Sequence, residues 1–440
     1  MLSSYLRTRF RPRFRSREQL LAWQDEQVQR HIRRILPLSS FYRQQFADCA
    51  PNEWQTAPLM DKTSMMAHFD RLNTVGIKKD EAFAVALRAE ESRDFVPTLN
   101  GMTVGLSSGT SGNRGLFLVS PRERKQWAGA MLAKVWHQTT YRLFGQRIAF
   151  FLRANSNLYT TLGSRVIQFA YFDLLDSLAR HLTRLNAFQP TVVVAPPSML
   201  RLLADAKMKG KLQIQPQQLI SVAEVLDPLD EAIIRNAFDQ IVHQIYQCTE
   251  GFLASTCRYG TLHLTEDLVA IQKEYLDTSL RKFVPIITDF HRTSQPIIRY
   301  RLDDILTERA RPCPCGSLFT ALEQIEGRCD DLFYLQATDN PREWVPLFPD
   351  FIRRAIITSS PHLTAYMARQ MQSDVIEIAL ESTQMDKSTT QQAIRAAIEV
   401  LCRRLGCQMP RIEYVEMSQQ VKGKKLKRVE RVWQEKGVTG

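Results

Sequence analysis

Short apolar runs alternate with amphipathic stretches between residues 147 and 246. The runs have the length and the β-branched or aromatic content of buried strands, at 147–152, 191–195, 219–222 and 241–246. The stretches between them are predicted as helices over 164–188, 197–208 and 228–238. Asp227 followed by Pro228 is a favourable N-cap and first-turn pair for the last helix. This alternation predicts a parallel sheet flanked by helices, with ligands beyond the carboxyl ends of its strands.

The patterns on either side of this region differ from it. Residues 18–90 have helical spacing of apolar residues, residues 262–306 favour short strands and hairpins, and a further helix is predicted near 388–404. A chain of 440 residues exceeds what one hydrophobic core usually serves. We place the main boundary at Gly327–Asp331, which gives an arm over 1–17, a large domain over 18–329 and a small domain over 330–440.

The charge of the chain narrows the classes of partner. Lys and Arg number 58 against 46 Asp and Glu, so the formal net charge is +12, which favours anionic partners. No run of about 18 apolar residues predicts a membrane span. No basic motif interleaved with aromatic residues supports a nucleic-acid binder. Eight cysteines are too few for a disulfide scaffold in a chain of this length, so we expect a cytoplasmic protein.

The first 17 residues hold six arginines and no acidic residue. Such a segment is compatible with a solvated terminus, with a basic arm that contacts another surface, or with an organellar transit peptide. The sequence leaves these alternatives open.

Residues 105–115 form a short segment rich in glycine and hydroxyl groups. Its glycines are Gly105, Gly109, Gly112 and Gly115, and its hydroxyl residues are Ser107, Ser108, Thr110 and Ser111. Glycine lets the backbone approach a ligand closely, and freed N–H groups with hydroxyls suit phosphate oxygens. Arg114 adds a permanent charge. The segment is neither a Walker A loop nor a Gly-x-Gly-x-x-Gly turn, and a flexible surface loop is the alternative.

Three later clusters have chemistry that suits a nucleotide. Tyr246-Gln-Cys-Thr249-Glu250 offers a ring for a base, a hydroxyl for a phosphate and a carboxylate for Mg²⁺. Asp303-Asp304 offers a carboxylate for a ribose diol, and Arg328 with Asp330 resembles a charged hinge. Taken one at a time, each is equally compatible with an ordinary strand end, a salt-bridged turn or a solvated loop.

The order of these segments resembles that of the adenylate-forming superfamily. A hydroxyl-rich glycine loop precedes Tyr-x-x-Thr-Glu, Arg-Tyr-Arg-x-x-Asp, Gly-Arg-x-Asp-Asp and a C-terminal Gly-Lys. Within the superfamily the chain is most similar to the phenylacetate–CoA ligase branch, which includes coenzyme F390 synthetase and CapK-type proteins. The resemblance covers nearly the whole chain, including Ser40-Phe-Tyr-Arg43, and Gly115–Ser120 is closest to an F390 synthetase-related subgroup.

The resemblance implies an α/β fold and a role for each site residue. A large N-terminal domain with parallel-rich sheets and flanking helices would bind ATP and the acyl substrate, and a small α+β C-terminal domain would be mobile. The implied ATP- and AMP-binding residues are Ser107, Ser108, Gly109, Thr110, Ser111, Gly112, Arg114 and Gly115 for the phosphates, Ala223, Glu224 and Tyr246 for adenine, and Asp304 and Arg328 for the ribose. Thr249, Glu250 and Lys424 would be catalytic, with Glu250 also binding Mg²⁺, and Asp330 would be the hinge.

The chain departs from the family pattern at several positions. Asp303 replaces a glycine, and Gln247-Cys248 replaces smaller residues. Asn113-Arg114 stands where related loops carry Pro-Lys or Pro-Gly, so Arg114 either supplies the missing cation or faces solvent. The basic tail offers Lys424, Lys425 and Lys427, which leaves the register of the catalytic lysine open.

A second cluster combines cysteine and histidine. Thiolate and imidazole ligands in a set of four suit tetrahedral zinc, and the candidates are Cys257, His263, Cys313 and Cys315. The phenylacetate–CoA ligase branch often has a Cys…His pair and a Cys-x-Cys at corresponding places. We therefore expect a closed structural zinc site, and the alternative is two pairs of buried free thiols.

The resemblance implies ATP-dependent adenylation of a small-molecule carboxylic acid, followed by transfer to a thiol of CoA or of an acyl carrier protein. ATP, Mg²⁺ and structural Zn²⁺ are the expected cofactors, and a homodimer is compatible with the family. Two alternatives stay open. One is an adenylyltransferase like F390 synthetase, which moves AMP to a hydroxyl acceptor. The other is a catalytically inactive nucleotide-binding relative.

Overall fold

The computed structural model describes residues 1–10, 14–92, 97–107, 114–135, 145–152, 167–383, 387–417 and 426–433. The chain forms two compact units. The first comprises Met1–Ala223, Ile234–Leu302 and Thr307–Gln324, and the second comprises Glu224–Ile233, Asp303–Leu306 and Ile325–Gly440. The second unit therefore draws on three separate parts of the sequence.

Helices dominate the start of the first unit, as the sequence predicts. They are α1 (Leu2–Phe10), α2 (Arg17–Ile35), α3 (Ser40–Gln45), α4 (Lys62–Ala67), α5 (Phe69–Leu72) and α6 (Lys79–Ser92), with a 3-10 helix at Pro51–Thr56. Ser16 caps α2 by accepting a hydrogen bond from the backbone N–H of Gln19. The buried face of α2 includes Leu20, Val28 and Ile32, so helical periodicity in the sequence corresponds to burial.

The helix of the amino-terminal arm packs on another helix of the first unit. Helix α1 packs on α7 (Pro121–Val135), where the Ser4 hydroxyl donates to the Gln126 carbonyl at 2.7 Å. The helices touch at Gly129, where a Cβ atom would lie 2.8 Å from both the Ser4 Cβ and the Tyr5 backbone nitrogen. Leu2–Phe10 is therefore a helix packed on α7, although none of its residues is fully buried.

The strands that precede and follow the glycine-rich segment belong to one three-stranded antiparallel sheet. Its strands are β1 (Thr98–Leu99), β2 (Met102–Leu106) and β3 (Leu116–Val119), in the order β1-β2-β3. Val104, Leu116 and Leu118 pack into an apolar cluster with α6 residues such as Ala82. This packing fixes the two strands from which the loop extends.

The predicted parallel sheet is present. Its strands are β4 (Gln146–Leu152), β5 (Ile167–Asp173), β6 (Val192–Ala195), β7 (Gln218–Ser221) and β8 (Val242–Cys248). They pair in the order β5-β4-β6-β7-β8, with every pair parallel. The helices between them are α8 (Leu178–Phe188), α9 (Pro197–Met208) and α10 (Pro228–Phe238).

The predicted helix over 164–188 is wrong in its first half. Residues 164–166 lie outside the described residues, and Ile167–Asp173 is strand β5, paired with β4. Phe172 of β5 stacks on Phe151 of β4 with ring centroids 4.7 Å apart. Helix α8 begins only after Ser177, whose side chain caps it. Pairing and packing against β4 outweigh the local helical pattern, because strand preference depends on cross-strand neighbours.

The sheet changes from parallel to antiparallel after β8. Strand β9 (Gly251–Thr256) returns antiparallel to β8, and the following strands are β10 (Leu262–Leu264), β11 (Val269–Asp277), β12 (Lys282–Asp289), β13 (Ile297–Arg301), β14 (Asp304–Glu308) and β15 (Ala321–Arg328). Within the described residues the sheet contains twelve strands in the order β11-β12-β14-β15-β10-β9-β8-β7-β6-β4-β5, with β13 paired to β12. The tight reversal between β8 and β9 contains Thr249 and Glu250.

The second unit has its own α+β core. Its later elements are β16 (Phe333–Gln336), β17 (Trp344–Leu347), α11 (Pro349–Ile357), β18 (Leu363–Gln372), β19 (Val375–Ser382), α12 (Ser388–Leu405), β20 (Arg411–Val415) and β21 (Val429–Arg431). Four of the strands form a sheet in the order β20-β19-β18-β21, with Tyr366, Ile378 and Ile398 fully buried. The predicted fold class, a parallel-rich α/β domain with a smaller α+β domain, is confirmed. Among the described helices, none is long and apolar enough to cross a membrane.

Candidate functional site

The reversal after β8 presents an oriented carboxylate. The Thr249 hydroxyl donates to Glu250 Oε2 at 2.8 Å, and the Tyr300 hydroxyl donates to Glu250 Oε1 at 3.1 Å. Tyr300 lies on β13 and is buried. Each carboxylate oxygen therefore holds one hydrogen bond and keeps further lone pairs for a ligand.

Two buried polar side chains connect this reversal to the glycine-rich segment. Arg292 donates to the carbonyl of Thr249, to the carbonyl of Leu118 at 3.4 Å and to Gln295 Oε1 at 3.3 Å. Gln295 in turn accepts from the Leu118 N–H at 2.8 Å and donates to the Leu116 carbonyl at 3.1 Å. The strand that leaves the glycine-rich segment is thus hydrogen-bonded, through two side chains, to the turn that holds Glu250.

Sequence reasoning assigned no role to Arg292, Gln295 or Tyr300. The available signal for Arg292 and Gln295 was the short polar run from His291 to Gln295 between two apolar strands, and Tyr300 lies within the second of these strands. A buried arginine or glutamine needs hydrogen-bond partners, so it marks a polar network.

The glycine-rich segment has closely joined ends. The Ser107 N–H donates to the Gly115 carbonyl, and the Gly115 N–H donates to Ser107 Oγ, both at 2.8 Å. A Cβ atom on Gly115 would lie 3.2 Å from Lys62 Cε, so the lysine side chain packs against this residue. Arg114 is half-buried, and the predicted residues Ser108, Gly109, Thr110, Ser111 and Gly112 lie outside the described residues.

Ala223 follows β7, and Tyr246 lies near the end of the neighbouring parallel strand β8. Ser221 of β7 is paired with Gln244 of β8, and each predicted residue lies two positions beyond that pair. Tyr246 is buried, whereas Ala223 is exposed and adopts a left-handed φ of +69°. This conformation costs a non-glycine residue about 1–2 kcal/mol, and such strain is often found at ligand sites.

The second unit holds the predicted ribose and hinge residues. Arg328 Nε lies 3.8 Å from Asp304 Oδ1, so these two side chains are brought together. Asp330 is exposed, and its carbonyl accepts a hydrogen bond from Arg431 Nε at 3.2 Å. Glu224 Oε1 accepts from the N–H of Leu426 at 3.4 Å.

The three lysines of the basic tail differ in what the structure reports. Lys424 and Lys425 lie outside the described residues. Lys427 forms ion pairs with Asp331 at 2.8 Å and with Glu430 at 3.8 Å. Its ammonium is therefore already engaged by carboxylates of its own unit.

The four predicted zinc ligands converge. One ligand atom from each of Cys257, His263, Cys313 and Cys315 lies within 4.8 Å of all the others. The sulfurs of Cys257 and Cys313 are 3.7 Å apart, and Cys315 Sγ is 3.4 Å from His263 Nε2. Tetrahedral zinc with ordinary bond lengths requires separations of about 3.8 Å and about 3.5 Å for these two kinds of pair.

Neighbouring groups orient these four side chains. His263 Nδ1 lies 3.1 Å from the carbonyl oxygen of Phe319, which favours a proton on Nδ1. The lone pair of Nε2 is then available to a metal ion. The N–H groups of Tyr259 and Ser317 each donate to a cysteine sulfur at 3.4 Å. The arrangement has the first ligands and the surrounding hydrogen bonds of a closed metal site.

Neither a protein-family model nor a curated protein sequence matches the chain. The structure is nevertheless similar to a 2-hydroxyisobutyryl-CoA ligase in complex with its acyl-AMP, with a TM-score of 0.69 at 17% identity over 96% of this chain and 91% of that one. The amide bond synthetase McbA from Marinactinospora thermotolerans gives a TM-score of 0.53 at 14% identity over 73% and 66% of the two chains. GH3.15 acyl acid amido synthetase gives 0.53 at 12% identity over 89% and 85%.

The chain has the adenylate-forming fold. The predicted resemblance to the adenylate-forming superfamily is confirmed at the level of the fold. In the adenylate-forming fold of this chain, the first unit places an oriented glutamate beside β8 and connects it to the glycine-rich segment. The second unit holds the Asp304–Arg328 pair and a lysine, Lys427, that is engaged by carboxylates.

Proposed function

We propose that this protein is an adenylate-forming ligase. A carboxylic acid and ATP would give an acyl adenylate and pyrophosphate, and a thiol of CoA or of an acyl carrier protein would then displace AMP. The observation that carries the proposal is the Thr249–Glu250–Tyr300 network, joined through Arg292 and Gln295 to the strand after the glycine-rich segment. This network occurs within a fold shared with ligases that form acyl adenylates.

In the adenylation step, a substrate carboxylate oxygen attacks the α-phosphorus of ATP, and the bond to the β-phosphate breaks as pyrophosphate leaves. We assign the β- and γ-phosphates to the segment from Ser107 to Gly115, with Lys62 beside it as a cation that sequence reasoning missed. We assign the α-phosphate to Thr249, whose hydroxyl is already in place beside Glu250. The work of these groups is positioning and charge stabilisation.

The remaining roles follow the same assignment. Ala223, Glu224 and Tyr246 would border the adenine, and Asp304 with Arg328 would bind the ribose. Lys424 is our proposed catalytic lysine, because it follows Gly423 as in the C-terminal Gly-Lys of the family pattern and because Lys427 is held by Asp331. Asp330 would be the hinge between domains whose boundary we place at residue 329.

Glu250 is the residue we propose to hold Mg²⁺. Its carboxylate is half-buried and is oriented by Thr249 and Tyr300, and such an oxygen is the ligand type that Mg²⁺ prefers. Mg²⁺ bound there would neutralise phosphate charge.

We further propose a structural zinc ion at Cys257, His263, Cys313 and Cys315. The support is the convergence of the four ligand atoms and the hydrogen bond that fixes the tautomer of His263. A reducing compartment such as the cytoplasm suits this site, because thiolate ligands must stay reduced.

Pyrophosphate exchange into ATP tests the proposed adenylation. The purified protein is assayed with a panel of aromatic, fatty, hydroxy and amino acids and without any acid. We expect exchange that depends on one class of acid, and Glu250→Gln should lower it by at least about 100-fold. The control Glu53→Gln removes an exposed carboxylate and should leave exchange unchanged.

The outcomes separate the alternatives. Exchange or AMP transfer without any acid would contradict the ligase and favour transfer to a hydroxyl acceptor. No exchange with any acid, together with thermal protection by ATP, would indicate a catalytically inactive nucleotide-binding relative. Incubation with CoA, a phosphopantetheinylated carrier protein or an amine then identifies the acceptor from the product.

A further inference from the structure

A cationic cleft lies in the first unit, lined by none of the residues assigned to ATP. Its volume is about 250 Å³. Helices α1, α2 and α7 and the segment after β12 line it, and its charged or ionisable residues include Arg7, Arg30, Arg34, Arg122, His31 and His291. The residues come from four separate parts of the sequence, so folding creates the cluster.

The geometry of two helices explains which side chains face the cleft. On α2, Gln27, Arg30, His31 and Arg34 have the spacing of one helical face. Arg122 lies in the first turn of α7, where the helix dipole favours an anion. Arg7 is carried by α1, which packs on α7 through Ser4 and Gln126.

The positive charge of the cleft is largely uncompensated. Within the part of the chain that the structure describes, Arg7, Arg34 and Arg122 form no hydrogen bond or ion pair, whereas Arg30 is paired with Glu26 at 2.6 Å. The one carboxylate among the lining residues is Glu123. It already accepts six hydrogen bonds, from the N–H and hydroxyl groups of Ser120, Thr293 and Ser294.

A buried histidine provides an independent sign of a ligand. His31 is only 4% exposed and lines the cleft, and its Nε2 has no hydrogen-bond partner among the described residues. Burial, together with His291 and Arg34, lowers the pKa of His31 to about 3, so the ring is neutral at pH 7. Buried polar atoms without a partner are rare in folded proteins, and each one calls for a missing partner.

We propose that this cleft binds a phosphate-bearing small molecule at a site distinct from that of ATP. Guanidinium groups match phosphate oxygens in geometry, and the excess of positive charge favours a dianionic group over a single carboxylate. The cleft is far larger than a single water-sized volume of about 30 Å³, so a diphosphate or a phosphomonoester fits better than one small ion. The proposal does not depend on the adenylation reaction.

Calorimetric titration with pyrophosphate and with inorganic phosphate, at ionic strength held constant with chloride, tests the site. The double variant R34Q/R122Q removes two exposed arginines of the cleft. The matched control R33Q/K125Q removes two exposed cations from the same helices that do not line it. We expect pyrophosphate affinity to fall at least about tenfold in the first variant and to change less than about twofold in the control.

Three outcomes would overturn the proposal. The unaltered protein shows no binding of either anion, the cleft variant binds as tightly as the unaltered protein, or the control loses as much affinity as the cleft variant. If the cleft variant binds as tightly as the unaltered protein, the anion binds at the ATP loop. If the control loses as much affinity, binding reflects the overall positive charge of the protein. The far-ultraviolet spectrum and thermal transition of each variant establish that it is folded.

Discussion

At the scale of the single residue, the buried carboxylate of Glu123 joins two distant segments of the chain through hydrogen bonds. Its side chain is buried and accepts hydrogen bonds from three neighbouring serine and threonine residues. The sequence contained half of this information, since Ser120-Pro-Arg-Glu123 has the Ser-x-x-Glu pattern of a capping box. The other half comes from Thr293 and Ser294, 170 or more positions away, and no local pattern reports it.

Through Glu123, the free energy of unfolding is expected to depend on pH. Burial alone would raise the pKa of this carboxyl, but the hydrogen bonds from Ser120 and Ser294 outweigh it and lower the pKa from 4.5 to about 2. A lowered pKa stabilises the fold above pH 4.5, and this contribution is lost as the pH falls towards 2. Urea unfolding of Glu123→Gln should show a loss of about 3 kcal/mol at pH 7, which shrinks as the pH falls through that window.

The comparison variant is Glu81→Gln, an exposed carboxylate on α6. It should match the unaltered protein throughout. A Glu123→Gln protein whose deficit is the same at pH 7 and at pH 3 would contradict the linkage.

Tyr300 is a positioning residue for Glu250. Tyr300→Phe removes the hydroxyl that donates to Glu250 Oε1, so the carboxylate is less well oriented. We expect about a tenfold lower kcat for pyrophosphate exchange, with a higher Mg²⁺ requirement. The matched control is Tyr275→Phe, which removes a Tyr–Glu hydrogen bond of 2.9 Å between Tyr275 of β11 and Glu308 of β14. Equal losses in both variants, or an unchanged Mg²⁺ requirement, would argue against the role of Tyr300.

At the scale of secondary structure, local pattern and tertiary pairing make separate contributions. Helix α9 follows its predicted bounds, and α12 is extended by one residue beyond its prediction. Strand β5 was predicted as helix, because only its pairing with β4 distinguishes the two states. Helix α1 depends on Gly129, whose missing Cβ admits the backbone of the arm.

We predict that a bound metal ion stabilises the segments that hold Cys257, His263, Cys313 and Cys315. Cys313→Ser removes one of the four converging ligands, so zinc should fall from about one per chain to below about 0.3, and the melting temperature should fall. Cys49→Ser, outside the cluster, is the control. Mass spectrometry of metals and thermal unfolding measure both effects. If Cys313→Ser does not fold, chelation of the unaltered protein replaces it, and an unchanged melting temperature after chelation would contradict a structural metal.

At the scale of the whole molecule, segments that are far apart in the sequence belong to one compact unit. The second unit includes Glu224–Ile233, which lies about 70 residues before the next segment of this unit, Asp303–Leu306. Asp227 accepts from the hydroxyl of Tyr366 at 2.7 Å, and both oxygens of Asp230 accept from Arg428 at 2.7 Å. These buried contacts bind the start of α10 to the later part of the same unit.

The pair of Asp230 and Arg428 is predicted to be important for the stability of the second unit. Asp230→Asn removes the carboxylate that forms both short contacts with the largely buried Arg428, and we expect a loss of about 3–5 kcal/mol in urea unfolding. Glu399→Gln breaks an exposed ion pair with Arg403 in the same unit and should cost less than about 1 kcal/mol. Similar losses in the two variants would show that burial of the pair does not matter.

The sequence by itself determined most of the secondary-structure elements, with strand β5 as an exception, and the order of the motifs. Residue spacing reports which side chains share a helix or strand, and motif order along the chain predicted the adenylate-forming fold. It also supplied the four Cys and His candidates, the glycine-rich segment and the Thr249-Glu250 pair. Only the tertiary structure decided which distant groups meet, because hydrogen bonds such as Tyr300 to Glu250 and Arg292 to Thr249 join residues more than 40 positions apart. Local periodicity contains no record of such contacts, and the same holds for the cationic cleft.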